Sequence, residues 1–139
     1  MPVYNKLVRD KILEIIEADG LAYNSRVLQP EEHLTEIKSK LFEEVKEFDE
    51  TTNKEEALEE MADVLELLHA ALKVYATDFA ELEAVRVKKK EKRGGFDQGL
   101  YLIDVEDKLK PSALLIFGKG WDKVITFSSD FKKFLLMLH

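Results

Sequence analysis

Two pairs of acidic residues have the spacing of a shared cation site. Glu44 and Glu47 lie three positions apart, as do Glu60 and Asp63. Residues three apart on a helix share one face, about 4.5 Å apart along the axis at roughly 1.5 Å per residue. Carboxylates this close raise one another's pKa, and a hard divalent cation removes the repulsion. The chemistry that four such carboxylates could perform together is the binding of cations such as Mg²⁺.

The residues between the two pairs predict that the pairs meet. Residues 51–53, Thr-Thr-Asn, predict a break between two helices, with Asn53 as an N-cap. In an antiparallel hairpin, Glu47 would lie level with Glu60. Glu44 would then lie level with Asp63, so four acids would share one patch.

A solvated acidic face is the competing interpretation. The chain has 28 acidic residues among 139, so spacing alone favours that alternative. The position of the acids relative to the apolar stripes favours a site, because Glu44 and Glu60 flank their stripes and Glu47 and Asp63 lie beyond on the same side. The predicted buried stripes are Leu34, Ile37, Leu41, Val45 and Phe48 on one helix, and Ala57, Met61, Val64, Leu68, Ala71 and Tyr75 on the other.

Apolar periodicity and capping residues predict four helices. These are expected over 3–18, from Pro30, from Asn53, and from Thr77 or Asp78 to Gly94-Gly95. The predicted fold class is all-α, a four-helix bundle in residues 1–103. Residues 104–139 form a C-terminal extension, in which 113–127 predicts a short β-hairpin and 128–138 a final helix.

Two basic segments carry weaker signals. Lys89 and Arg93 are four positions apart and share a helix face. Taken alone, this pattern indicates a solvated helix end. Beside a metal site, the same pair could bind phosphate groups. The opening segment 4–12 contains Lys6, Arg9 and Lys11, and its pattern alone favours an amphipathic helix with these cations in solvent.

Composition excludes several classes of function. The net charge of −7 argues against general binding of nucleic acid, and the absence of cysteine excludes disulfides and thiolate zinc sites. The three histidines show no metal-ligand spacing. Without a leader or a membrane span in the sequence, we expect a soluble cytoplasmic protein without membrane partners.

The order of the motifs resembles the MazG-like all-α nucleoside triphosphate pyrophosphatase superfamily. The matching residues are Lys40-Leu-Phe-Glu-Glu-Val-Lys-Glu47, Glu59-Glu-Met-Ala-Asp-Val-Leu-Glu66, and the segment 89–96 with its Arg-Gly-Gly-Phe. The opening Tyr4-Asn-Lys-Leu-Val-Arg-Asp-Lys-Ile12 resembles the start of the phosphoribosyl-ATP pyrophosphohydrolase-like branch. The resemblance covers about residues 3 to 103, and the family usually ends soon afterwards.

The resemblance implies a Mg²⁺-dependent hydrolase, with Mn²⁺ as a possible substitute, that cleaves a nucleoside triphosphate between its α and β phosphates. It implies a nucleotide-cleansing role and a homodimer or homotetramer. By position, Glu44, Glu47, Glu60 and Asp63 carry over as metal ligands, and Glu43 as the group that orients or deprotonates the attacking water.

The same resemblance assigns the basic residues to the substrate. Lys89 and Arg93 match the pair expected to hold phosphates, and Lys6, Arg9 and Asp10 match the opening motif and are assigned to nucleotide contact. Two alternatives stay open. One is a phosphoribosyl-ATP pyrophosphohydrolase of histidine biosynthesis, and the other is a non-catalytic helical interaction module, which the apolar run 131–138 favours.

Overall fold

The structure, a computed structural model, describes residues 2–106. These contain four α-helices and no β-strand: α1 (Ile12–Ala18), α2 (Pro30–Glu50), α3 (Lys54–Val74) and α4 (Phe79–Arg93). The prediction of an all-α chain with four helices is therefore confirmed for these residues. Residues up to Gly95 form one compact unit.

Local signals set the ends of three helices. Pro30 begins α2, where its missing N–H is not needed. The side chains of Asn53 and Asp78 accept hydrogen bonds from the backbone N–H groups of Glu56 and Glu81, and so cap α3 and α4. Gly94 ends α4 with φ +83°, a conformation that favours glycine.

The first helix is shorter than its apolar pattern predicts. The expected helix over 3–18 begins only at Ile12, and the preceding residues form no helix or strand. Asn5 has φ +44°, which is incompatible with a continuous right-handed helix. Lys6 and Arg9 make long-range ion pairs instead of facing solvent from a helix.

The hairpin of α2 and α3 is the packed centre of this unit. Among the described helices, these two form the only pair with more than marginal contact. Ile37, Glu44 and Leu67 are the buried residues within 2–106, and Ile37 is completely inaccessible. A buried glutamate thus shares the interior of the hairpin with two aliphatic side chains.

The buried faces are rotated toward the acids relative to the predicted stripes. Val45 and Met61, both predicted to be buried, are 50% and 45% exposed. Glu44 takes the place expected for Val45, and Leu67, which is not part of the predicted stripe, is buried in place of Leu68. The buried face of each helix is shifted by one residue toward the carboxylates. The sequence does not define this shift, because the 3.6-residue period of a broad apolar stripe does not specify which residue lies at its centre.

The outer faces of both long helices keep many exposed apolar side chains. The most continuous stripe runs along α3 at helical spacing and comprises Leu58, Met61, Leu65 and Leu68. Because α1 and α4 do not pack extensively on the hairpin, a closed four-helix bundle within one chain is not formed by the described residues. One ring contact joins α3 to α4, where His69 stacks on Phe79 with centroids 4.9 Å apart.

The predictions for the last third of the chain fall largely outside the described residues. The expected β-hairpin over 113–127 and helix over 128–138 lie there. Residues 99–106 form no helix or strand. None of the described helices combines the length and the apolar character that a membrane crossing requires.

The complete burial of Ile37 predicts a measurable packing energy. Ile37→Val should lower the free energy of unfolding by about 1 kcal/mol, because a deleted core methylene removes contacts that the site cannot fully replace. Ile15→Val is the matched control, since Ile15 is 54% exposed, and should change it by less than about 0.5 kcal/mol. Urea unfolding followed by circular dichroism measures both, and equal effects would contradict the packing described here.

Candidate metal centre

Three of the four predicted metal ligands come together between α2 and α3. Carboxylate oxygens of Glu44, Glu47 and Glu60 lie within 4.8 Å of one another. Glu44 and Glu47 are one helical turn apart on α2, and Glu60 faces them from α3. The turn at residues 51–53 reverses the chain, so residues distant in sequence meet at one place.

Glu44 is the buried member of the cluster. Only 5% of the residue is exposed, and its Oε1 lies 2.8 Å from Nζ of Lys40. Lys40 precedes Glu44 by one helical turn, and this hydrogen bond is the largest cause of the raised pKa of Lys40. A buried carboxylate is costly unless it is paired, and Lys40 provides the pairing.

Glu60 is the member that lacks compensation. Its Oε2 is buried and has no hydrogen-bond partner. Burial is the largest cause of the raised pKa of Glu60, and the charges of Glu47 and Glu44 raise it further, as do the charge of Asp63 and a hydrogen-bonding contact with Glu47. Each cause disfavours the ionised form. An additional positive charge at this oxygen would relieve all of them.

Asp63, the fourth predicted ligand, has a different partner. Its Oδ1 accepts a hydrogen bond from Nη2 of Arg9, a residue 54 positions away in the segment before α1. The hydrogen bond and the charge of Asp63 are the main causes of the raised pKa of Arg9. Asp63 therefore stands beside the three-carboxylate group rather than within it.

Glu43 lies between two lysines. Its Oε1 accepts a hydrogen bond from Nζ of Lys6 at 2.9 Å, and Nζ of Lys40 lies 3.8 Å from its other oxygen. Lys6 is the first and Lys40 the second cause that lowers the pKa of Glu43. Glu43 is therefore ionised at neutral pH, and its pKa is shifted in the direction opposite to that of Glu60.

The formal charges of this region do not cancel. Five acids meet three basic side chains, which leaves a formal charge of −2. The acids are Glu43, Glu44, Glu47, Glu60 and Asp63, and the basic side chains are Lys6, Arg9 and Lys40. The excess is concentrated at Glu47 and Glu60, for which the described residues provide no ion pair.

The donor set fits a hard divalent cation. All the converging atoms are carboxylate oxygens, the ligands that Mg²⁺ and Mn²⁺ prefer. Octahedral ligands of Mg²⁺ at bond lengths of about 2.1 Å lie about 3.0 Å apart when adjacent and about 4.2 Å apart when opposite, so the three oxygens, which lie within 4.8 Å of one another, would draw closer around a bound ion. The unpartnered oxygen of Glu60 supports the same fit.

The basic pair on α4 is not part of this arrangement in the described chain. Lys89 and Arg93 are exposed, and within residues 2–106 they make no side-chain hydrogen bond or ion pair. Asp10 is likewise exposed and has no such contact there. Of the predicted substrate-binding residues, the structure brings Lys6 and Arg9 to the acids.

Sequence reasoning missed the role of Lys40. Its distance of four residues from Glu44 is a recognised helical ion-pair spacing and could have revealed it. No local signal could have revealed the pairing of Lys6 with Glu43 or of Arg9 with Asp63, because these contacts span 37 and 54 residues.

No protein-family model, curated protein sequence or solved structure matches this chain. The interpretation of the centre therefore depends on its own geometry and on the motif resemblance.

The raised pKa of Glu60 predicts a pH-dependent cost to the metal-free fold. Below the unfolded-state pKa both states are protonated and the cost is absent; above the raised folded-state pKa the full repulsion acts. Glu60→Gln should therefore raise the melting temperature of the metal-free protein at neutral pH, and the gain should disappear as pH falls through the unfolded-state pKa.

Thermal unfolding in a chelator across pH 3.5–8 tests this expectation. Glu59→Gln, an exposed acid on the same helix, is the matched control and should show no such pH-dependent gain. A loss of stability in the Glu60 variant at neutral pH would contradict the described electrostatics.

Proposed function

We propose that this protein is a Mg²⁺-dependent nucleoside triphosphate pyrophosphohydrolase, which releases a nucleoside monophosphate and pyrophosphate. The observation that carries the proposal is the convergence of the carboxylates of Glu44, Glu47 and Glu60, the last of which has a buried oxygen without a hydrogen-bond partner. These acids occupy the motif positions of the MazG-like superfamily, to which we assign the chain on the resemblance of its motifs. A role in removing unwanted nucleotides follows from the same assignment.

The acids would hold the cation that the reaction needs. Glu44, Glu47 and Glu60 would coordinate it, and Asp63 lies close enough to add its charge. When bound, Mg²⁺ supplies positive charge to phosphate oxygens and makes a water molecule more acidic. Phosphoryl transfer requires mainly positioning and charge from the protein, and a rigid helical hairpin provides the positioning.

Glu43 is the residue proposed to act on the attacking water. It is adjacent to the ligand Glu44, and its two lysine partners keep it ionised. An ionised carboxylate can orient a water molecule and accept its proton. Lys6 and Arg9, which pair with Glu43 and Asp63, would supply positive charge to the triphosphate. Lys89 and Arg93 remain proposed phosphate contacts on the motif resemblance.

Homodimer or homotetramer formation belongs to the same proposal. The stripe of Leu58, Met61, Leu65 and Leu68 is partly exposed in the single chain, and contiguous exposed apolar surface commonly marks an interface. A second hairpin would complete the bundle that one chain leaves open. The exposed stripe equally favours the alternative of a non-catalytic interaction module, and the metal site distinguishes the two.

Substitution of Glu60 tests the catalytic proposal. Glu60→Gln should reduce Mg²⁺-dependent release of pyrophosphate by at least about 100-fold, beyond the effect usual for residues outside the coordination sphere. The assay should use canonical and modified nucleoside triphosphates and phosphoribosyl-ATP, with products identified by chromatography. Glu59→Gln should retain activity. Full turnover in the Glu60 variant, or no metal binding by the unmodified chain, would refute the enzyme and favour the interaction module.

The exposed stripe on α3 predicts a self-association that a charge would disrupt. The unmodified chain should have a solution mass of two or four times 16.0 kDa, and Leu65→Glu should shift it toward the monomer because a buried unpaired charge is costly. Light scattering after size-exclusion chromatography measures the mass. Val27→Glu, at a residue 93% exposed, is the control and should leave the mass of the assembly unchanged.

A further inference from the structure

The segment before α1 lies across both helices of the acid-bearing hairpin. Lys6 contacts Glu43 on α2, and Arg9 contacts Asp63 on α3. Residues 2–11 form no helix or strand, so these ion pairs are tertiary contacts that position the segment. Two basic side chains three residues apart thus meet two different helices beside one acidic centre.

Arg9 pairs with Asp63, the one predicted metal ligand that is not part of the three-carboxylate group. Asp63 follows Glu60 by one helical turn, and its charge is felt by Glu60, yet its hydrogen-bonding partner is Arg9. The charges of Glu66 and Glu44 also act on Arg9. Arg9 therefore already provides part of the positive charge that the centre needs.

We propose that Arg9 exchanges one partner for another. It pairs with Asp63 while the centre holds no cation, and it binds the polyphosphate of the substrate once a divalent cation is bound. The proposal rests on the function proposed above and specifies how its site is loaded. Glu44, Glu47 and Glu60 would hold the divalent cation, whose charge would weaken the neighbouring pair of Arg9 and Asp63. Phosphate oxygens of the substrate would offer the guanidinium a bidentate partner in place of the single hydrogen bond that it makes with Asp63.

The exposure of the pair permits such an exchange. The side chain of Arg9 is 58% exposed and that of Asp63 is 37% exposed, so no core packing must break. Exposed ion pairs contribute little net stability. By contrast, Lys40 is only 22% exposed and holds the buried Glu44 from within the same helix. Lys40 is therefore the fixed counter-ion, and Arg9 is the exchangeable one.

The exchange makes opposite predictions for cation and phosphate. In the full chain, Arg9→Gln should bind Mn²⁺ alone on the order of tenfold more tightly, because a nearby positive charge is removed and Asp63 is released. The same variant should bind inorganic tripolyphosphate more weakly in the presence of Mg²⁺. Arg9→Lys retains the charge and should bind Mn²⁺ close to the unmodified chain. Isothermal titration calorimetry measures each affinity.

Two further variants separate this exchange from a general effect of charge. Arg26→Gln is the matched control, because Arg26 also pairs with a carboxylate, that of Glu32, and its loss should leave Mn²⁺ affinity unchanged. In an Asp63→Asn background, Arg9→Gln should tighten Mn²⁺ binding markedly less than in the native background. An equal gain in both backgrounds would overturn the role given to the pair of Arg9 and Asp63.

A measurement on the unmodified chain covers the case in which a variant does not fold. Mn²⁺ should accelerate tryptic cleavage after Arg9, and tripolyphosphate added with Mn²⁺ should slow it again. Unchanged cleavage, or unchanged or weaker Mn²⁺ binding in folded Arg9→Gln, would overturn the inference. If the Arg9 tests fail in this way, Glu60→Gln shows which proposal is wrong. Loss of Mn²⁺ binding in Glu60→Gln would mean that the proposed metal centre stands and only the role of Arg9 fails, whereas normal Mn²⁺ binding would mean that the proposed function fails as well.

Discussion

Repulsion among carboxylates inside the α2–α3 hairpin is the constraint around which this structure is arranged. Glu44 is buried, and Glu47 and Glu60 bring their oxygens to within 4.8 Å of it and of each other. Lys40 compensates the first of these acids from within α2. The buried oxygen of Glu60 has no such compensation. A hairpin optimised only for stability would place apolar groups here, because buried charges seldom repay their desolvation.

The basic side chains neutralise only some of the acids in this region. Lys6, Arg9 and Lys40 engage Glu43, Glu44 and Asp63, which leaves Glu47 and Glu60 without ion pairs among the described residues. The deficit has the magnitude of one divalent cation. Both proposals follow from this imbalance. The proposed function follows from Glu47 and Glu60, which have no ion pair among the described residues, and the proposed exchange follows from Asp63, whose partner Arg9 is exposed.

Few apolar residues are buried in the described part of the chain. Only Ile37 and Leu67 reach core levels of burial within residues 2–106, while an apolar stripe on α3 stays accessible. A single hairpin has too little interior for its apolar content, and self-association would supply the missing partner face. The acidic centre and the exposed stripe occupy different faces of α3, so separate substitutions can test the proposed assembly and the proposed catalysis.

The sequence by itself determined the four helices and three of their N-terminal boundaries, because Pro30, Asn53 and Asp78 act through contacts within one turn. It also determined that acids would meet at the turn, because antiparallel helices joined by three residues leave little freedom of register. The resemblance to MazG-like enzymes added an expected chemistry to that geometry.

Only the tertiary structure decided which face of each helix was buried and which acid received which partner. The apolar stripes were broad, so their periodicity allowed the rotation that buried Glu44 and left Val45 exposed. The helix expected from residue 3 begins only at Ile12. The segment before it contains Asn5 in a left-handed backbone conformation and makes two long-range ion pairs. Contacts such as Arg9 with Asp63 depend on the spatial position of distant helices, and no local pattern in the sequence encodes that position.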